Sequence, residues 1–128
     1  NLDLFRRVND QHGRGVGDEV LHRFAALVRA ATRGDDVVVR RRGDEFVLVM
    51  PATSTEQATR VAERIREKLT ADALDVGMGR RVAQTASIGV ATWNGYDTPD
   101  GIEKRARQAM RTAKLHGRDR IHVDDGKR

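Results

Sequence analysis

Hydrophobic residues in the first quarter of the chain recur at the spacing of amphipathic helices. The pattern over residues 4–12 predicts a short helix, which ends at the glycines that follow it. A second helix is predicted to follow and to stop near Gly34, and Asp18 and Glu19 suit its positive end. Its apolar face consists of Val20, Leu21, Phe24, Leu27, Val28 and Ala31.

Two apolar runs then flank a charged segment. Residues 37–39 and 46–50 are typical of buried strands, and the glycine between them favours a tight hairpin. Asp44 and Glu45 would lie at the tip of this hairpin with little freedom, which suits a site for a hard cation or a proton acceptor. The alternative is that the hairpin tip is polar only because it is exposed to solvent.

A third helix and a long strand are predicted after the hairpin. Thr53 and Glu56 have the spacing of a capping box at the start of the helix. β-Branched residues and alternating polarity over residues 81–92 predict a single long strand. The buried face of the helix consists of Ala58, Val61, Ala62, Ile65 and Leu69.

The last predicted helix opens at Thr98 and Pro99, because proline suits the first helical position. Gly117 ends this helix, and residues 121–123 predict a short final strand. The order helix, helix, hairpin, helix, strand, helix, strand favours an α+β domain, in which helices flank a largely antiparallel central sheet.

Length and composition fit one globular domain. The chain has 128 residues, of which 34% are charged and 38% hydrophobic, unlike disordered or membrane proteins. Residues 1–3 are typical of the end of a strand that begins upstream, so we expect one domain over residues 1–128 that is truncated at its N-terminus. The absence of cysteine excludes disulfides and thiolate sites and favours a cytoplasmic location.

The net charge of +5 suits an anionic ligand such as a nucleotide or a nucleic acid. The basic residues, however, are scattered along the chain, and aromatic residues make up only 4%. A nucleic-acid groove needs clustered positive charge and stacking aromatics. We therefore expect no nucleic-acid partner.

Five short motifs occur in a characteristic order, and together they resemble the GGDEF domain family of diguanylate cyclases, with a variant RGDEF signature. The resemblance covers essentially the whole chain. It implies a fold akin to the palm of polymerases and adenylyl cyclases. It also implies an activity that joins two GTP molecules into cyclic di-GMP and releases two pyrophosphates. The motifs are DLFRRVND (3–10), GDEVL (17–21), RGDEF (42–46), SIGVA (87–91), and AK with GR (113–118).

The resemblance assigns GTP-binding roles to four residues. Asn9 and Asp18 match the pair that reads guanine, whose edge offers an acceptor and donors to an amide and a carboxylate. Lys114 and Arg118 match residues that hold the triphosphate. The alternative for Asn9 and Asp18 is a structural role at a helix end, as a cap or a first-turn residue. The alternative for Lys114 and Arg118 is an interaction with the negative end of the last predicted helix.

The same resemblance places metal and catalysis at the hairpin. Asp44 and Glu45 match the signature carboxylates near two Mg²⁺ ions, and Leu2 would lend a backbone carbonyl. Asn1 stands where the family has a metal-binding aspartate, so we expect Mg²⁺ to be bound weakly.

Arg33 and Asp36 match the RxxD inhibitory site of the family, which binds cyclic di-GMP. An arginine can donate two parallel hydrogen bonds to a phosphate or a guanine edge, and a carboxylate can accept hydrogen bonds from guanine. The alternative is an ordinary helix stop followed by a turn.

Four arginines also depart from the family pattern, and we expect one of them, Arg42, to lie closer to the nucleotide than the other three. Arg42 replaces the first signature glycine, where a side chain either blocks GTP or folds outward. Arg14, Arg107 and Arg111 also depart from the family, and we expect these three to be peripheral.

The favoured interpretation is a degenerate GGDEF domain that binds cyclic di-GMP, GTP or both as a regulatory module and relays occupancy to adjoining signalling domains. An active diguanylate cyclase is the second interpretation. A cyclase would need two half-sites facing each other, so a homodimer is a possible partner arrangement. A nucleic-acid-binding or purely structural role is the third.

Overall fold

The computed structural model describes residues 1–126, two residues short of the predicted domain. Its mixture of helices and short strands confirms the α+β class. No helix in this range is long and apolar enough to cross a lipid bilayer. The elements are α1 Phe5–His12, α2 Arg14–Ala30, β1 Val37–Arg41, β2 Glu45–Val49, α3 Thr55–Ala71, β3 Leu74–Asp75, β4 Arg81–Val82, β5 Ile88–Val90, α4 Pro99–Leu115 and β6 Ile121–Val123.

Strands in the described residues pair two by two. β1 and β2 form the predicted antiparallel hairpin, β3 and β4 a second antiparallel pair, and β5 and β6 a parallel pair. Residues 1–3 connect the hairpin to the segment before β5. The Leu2 amide donates to the Asp44 carbonyl at 3.2 Å, and the Asp3 amide donates to the Thr85 carbonyl at 2.9 Å. The N-terminal segment therefore lies between the hairpin and the segment before β5.

The prediction of one long strand over residues 81–92 is wrong. β4 and β5 are separate, because the backbone between them bonds to residues 1–3 instead of continuing the β4 ladder. Gln84 fills this junction: its buried side-chain amide donates to the carbonyls of Asp3 and Thr85, both at 2.8 Å.

Two helices also begin at positions that differ from the predicted ones. The capping box is formed by Ser54 and Gln57, in which the Ser54 hydroxyl accepts from the Gln57 amide at 3.2 Å and the Gln57 side chain accepts from the Ser54 amide at 3.0 Å. Thr53, predicted for this role, instead accepts a hydrogen bond from Arg33. α2 begins at Arg14, several residues before the predicted start.

α4 begins as predicted, with the Thr98 hydroxyl accepting from the Gly101 amide at 3.0 Å. The helix packs directly on β5 at Gly89. A Cβ at Gly89 would lie 2.1 Å from the Ala106 carbonyl oxygen and 2.3 Å from the Met110 amide nitrogen. Only glycine permits this approach, which brings the middle of α4 close to the hairpin.

An apolar cavity of about 150 Å³ lies between the hairpin and the β5–α4 unit. The hairpin is anchored above it by Phe46, whose ring meets Phe24 edge to face at a centroid distance of 5.0 Å. Polar residues also line the cavity, among them Asn1, Glu45 and Arg107. The tip of the hairpin and the middle of α4 therefore share one buried region.

Candidate nucleotide-binding and active site

The signature turn is built by positive backbone angles. Arg42 has φ 48° and Gly43 has φ 82°, and the Asp44 amide donates to the Arg42 carbonyl at 3.0 Å. Glycine adopts this conformation freely, whereas arginine is strained in it. The Arg42 side chain is exposed.

Asn1 lies against the same turn. Its side-chain nitrogen donates to the Asp44 carbonyl at 3.2 Å, next to the bond from the Leu2 amide. The Asn1 amide thus holds the backbone of the turn, and the Leu2 main chain runs beside it. The structure places the predicted metal-site residues Asn1, Leu2, Asp44 and Glu45 together.

Glu45 forms an ion pair with Arg107 of α4. Arg107 Nε and Nη2 reach the two carboxylate oxygens of Glu45 at 3.0 and 3.3 Å. The Glu103 carboxylate lies 3.5 Å from the same guanidinium, and Arg41 of β1 bonds to Glu103 at 3.1 Å. These four side chains alternate in charge and clamp the hairpin to α4. The hydrogen bond to Glu45 raises the pKa of Arg107 above its ordinary value.

Asp3 is a second buried carboxylate nearby. Its Oδ1 accepts from the Ser87 hydroxyl at 2.7 Å and from Lys114 Nζ at 3.2 Å. Its Oδ2 accepts from the Thr85 hydroxyl at 2.7 Å and from the Asp119 amide at 3.0 Å. Burial alone would raise the pKa of Asp3, but these four bonds outweigh it and hold the pKa below its usual value.

Lys114 and Arg118, the predicted triphosphate ligands, lie at the C-terminal end of α4. Asp3 binds Lys114 directly and fixes the turn that carries Arg118 through the Asp119 amide. Arg118 and Asp119 both have positive φ, 63° and 46°. The Arg118 side chain is exposed.

The packing of α1 on α2 places the Asn9 side chain against Gly17, the residue before Asp18. A Cβ at Gly17 would lie 1.8 Å from the Asn9 side-chain oxygen, so the missing side chain makes room for the Asn9 amide beside residue 18. Within residues 1–126, neither the Asn9 amide nor the Asp18 carboxylate has a hydrogen-bonding or ionic partner in the chain. Both are available to a ligand.

Arg33 and Asp36 form a small closed turn at the end of α2. The Arg33 amide donates to Asp36 Oδ2 at 2.8 Å, and the Asp36 amide donates back to the Arg33 carbonyl at 3.1 Å. The Arg33 guanidinium donates to the Thr53 hydroxyl at 2.7 Å and lies 4.0 Å from Asp36 Oδ1.

Residues 1–120 match the sequence profile described as diguanylate cyclase, GGDEF domain. The chain belongs to the GGDEF family.

Relatives of this GGDEF domain include the response regulator PleD of Caulobacter vibrioides, 39% identical over 123 residues. That match covers 94% of this chain but 27% of PleD, so the chain spans about a quarter of that relative.

Solved structures of domains from this family also resemble the fold of this chain. The GGDEF domain of YfiN from Pseudomonas aeruginosa superposes with a TM-score of 0.90 at 32% identity, covering 99% of this chain and 80% of that one. The active GGEEF domain of a diguanylate cyclase from Vibrio cholerae superposes with a TM-score of 0.86 at 29% identity, covering 99% and 80%.

Diguanylate cyclases generally use Mg²⁺. In the nucleotide-free domain, one of the two signature carboxylates does not fit that ion, because Arg107 already holds Glu45. Asn1 contributes an amide that donates to Asp44, and both oxygens of Glu45 are engaged by Arg107. Hard divalent cations require unengaged oxygen ligands.

The expectation that Arg107 is peripheral is wrong, because its guanidinium contacts Glu45. The side chains of Arg14 and Arg111 are exposed, as expected. Sequence reasoning also missed Asp3 as the partner of Lys114. Neither pair has a local signal in the sequence: 62 positions separate Glu45 from Arg107, and 111 separate Asp3 from Lys114.

Proposed function

We propose that this GGDEF domain is a nucleotide-binding regulatory module of cyclic di-GMP signalling. It binds cyclic di-GMP at Arg33 and Asp36, and it binds GTP through its guanine and phosphate residues. Its turnover is far below that of catalytic family members. Ligand occupancy is relayed to adjoining domains of the same protein. The GTP residues are Asn9, Asp18, Lys114 and Arg118.

The observation that carries the proposal is an unsatisfied acceptor in the RxxD turn. The Asp36 side chain is only 2% exposed, and within the described residues its Oδ1 is buried without a hydrogen-bonding partner. Leaving a buried polar group unpaired costs about 1–3 kcal/mol. A guanine edge supplies donors that would relieve this cost when the turn opens and exposes this oxygen, which is buried in the protein without ligand. The Arg33 guanidinium beside it is 60% exposed and can reach a phosphate or base.

Thermal unfolding with added cyclic di-GMP tests this site. A ligand at 100 times its Kd stabilises the folded protein by about 2.7 kcal/mol, which raises Tm by several degrees. Arg33→Ala should abolish the shift. Arg29→Ala, which removes an exposed arginine from the last turn of α2, is the matched control and should preserve it. No shift in the parent protein at saturating ligand would refute cyclic di-GMP binding.

The GTP site is tested by a pair of glycine substitutions in α2. Gly17→Ala should abolish GTP binding in calorimetry, because its methyl group must displace the Asn9 amide. Gly15→Ala meets nothing within 4 Å and should leave binding unchanged. Both variants replace glycine by alanine in a helix, which favours the helix by up to about 1 kcal/mol. Because a Cβ at Gly17 would also lie 3.3 Å from Phe5 Cζ, the Tm of Gly17→Ala must match that of the parent before lost binding is assigned to Asn9. Equal GTP affinity in the two variants would contradict a role for Asn9.

A second candidate function is diguanylate cyclase activity itself. The observation in its favour is that Asp44 and Glu45 lie at the hairpin tip beside Asn1 and Leu2. Incubation with GTP and Mg²⁺, followed by chromatography for cyclic di-GMP, separates the two functions. Production at the rate of a catalytic relative would establish a cyclase, which must bring two copies of the domain together.

A further inference from the structure

The geometry around Glu45 is that of an occupied cation site. The Arg107 guanidinium approaches both carboxylate oxygens, at 3.0 and 3.3 Å, in a forked arrangement. The two side chains are 19% and 10% exposed, so water screens the pair only in part. Forked arginine–carboxylate pairs combine charge with geometric fit and are among the stronger hydrogen-bonded pairs in proteins.

A divalent cation would have to compete for the same oxygens. Arginine keeps its charge in proteins, so it cannot give way by losing a proton. Because Arg107 engages both oxygens, a divalent cation at Glu45 would have to displace at least one of these bonds and bear the repulsion of the guanidinium charge. Glu103 holds Arg107 from a second side at 3.5 Å and opposes that displacement.

We propose that Arg107 is the resident counter-cation of Glu45 and that it excludes divalent metal ions from this carboxylate of the signature turn. Asn1 supplies no carboxylate beside the turn, and Arg107 occupies one of the two signature carboxylates, Glu45. This inference concerns the protein without nucleotide, so it stands or falls independently of cyclic di-GMP and GTP binding.

The close contact of α4 with β5 makes this arrangement possible. Gly89 lets the backbone of α4 at Ala106 approach the strand, and Arg107 is the next residue on the helix. Glu45 is the first residue of β2 and faces the same cavity. The position of the cation is thus set by backbone packing.

Binding of Mn²⁺ to the nucleotide-free protein tests the proposal, measured by the electron paramagnetic resonance signal of the free ion. Arg107→Ala should bind Mn²⁺ at least tenfold more tightly than the parent. Arg107→Lys, which keeps a cation at this position, should gain less. Asn1→Asp added to Arg107→Ala should tighten binding further, because it restores a carboxylate beside Glu45.

Two controls locate the effect. Arg111→Ala removes the same charge one turn further along α4, where the side chain is exposed, and should change Mn²⁺ affinity less than twofold. Glu45→Gln added to Arg107→Ala should cancel the gain. Arg107→Gln preserves a donor for Glu45 without charge, so it supplies the neutral variant if the alanine protein does not fold.

Three outcomes would overturn the proposal. The first is a parent protein that binds Mn²⁺ as tightly as Arg107→Ala or Arg107→Gln. The second is a gain in Arg111→Ala equal to that in Arg107→Ala. The third is a gain that survives Glu45→Gln, which would place the ion elsewhere.

Discussion

Asp3 and Glu45 are two buried carboxylates in the same part of the fold, and they are stabilised in different ways. Asp3 accepts from two hydroxyls, one backbone amide and one ammonium group, which come from three segments of the chain. Glu45 is met at both oxygens by one arginine. The first arrangement is made largely of neutral donors fixed by the backbone, and the second depends on one long, charged side chain.

The difference separates a structural carboxylate from an exchangeable one. Neutral donors that are held in place stabilise Asp3 without any mobile ion, and several must be displaced before the group is free. Removing Arg107 leaves the Glu45 carboxylate as a largely buried charge without a counter-ion, which favours the binding of another cation. The comparison therefore predicts that Asp3 maintains the fold, whereas the surroundings of Glu45 decide which cations the site accepts.

The largest expected effect is that of Asp3→Ala on stability. It leaves the donors of Ser87, Thr85 and the Asp119 amide without their acceptor, so we expect a loss of about 3–5 kcal/mol in the free energy of unfolding. Urea denaturation measures this loss. Asp10→Ala, in an exposed carboxylate on α1, is the control and should cost less than about 0.5 kcal/mol. Equal costs would remove the distinction between a structural and a surface carboxylate.

A double-mutant cycle measures the Glu45–Arg107 pair directly. We expect a coupling energy of about 1.5–3 kcal/mol from Glu45→Ala, Arg107→Ala and their combination, because the bonds are charged and largely shielded from water. The double variant should be more stable than the sum of the single losses predicts. A coupling near zero would mean that the pair neither holds the hairpin nor competes with metal.

Acid should weaken the Asp3 arrangement by a smaller amount, because a protonated carboxyl retains part of its hydrogen bonding. The folded-state pKa of Asp3 is depressed, so its contribution to stability is fully present above the unfolded pKa of about 3.9. It is lost as the pH falls through the folded-state pKa. The stability difference between the parent and Asp3→Asn should therefore narrow from pH 5 to pH 2.5 in urea titrations. A difference that stays constant would contradict the depressed pKa.

Local sequence patterns determined the four helices, the first hairpin and the family motifs. Helical periodicity located α1, α2, α3 and α4, and the apolar runs around Gly43 located the hairpin. Thr98 and Pro99 marked a helix start because capping and proline chemistry act within one turn. The same local logic failed by one residue at Thr53, because Ser54 also carries a capping hydroxyl and a glutamine three residues later.

The partners of the buried charges were decided only by tertiary structure. The periodicity of α4 shows which face is apolar, but it does not show that Gly89 lets the helix approach β5 closely enough for Arg107 to contact Glu45. In the same way, the sequence of residues 81–92 has the composition of one strand, and only residues 1–3 divide it by taking its backbone hydrogen bonds. Short-range patterns record the preferences of each segment. The choice of a charged partner depends on distances between segments, which packing alone sets.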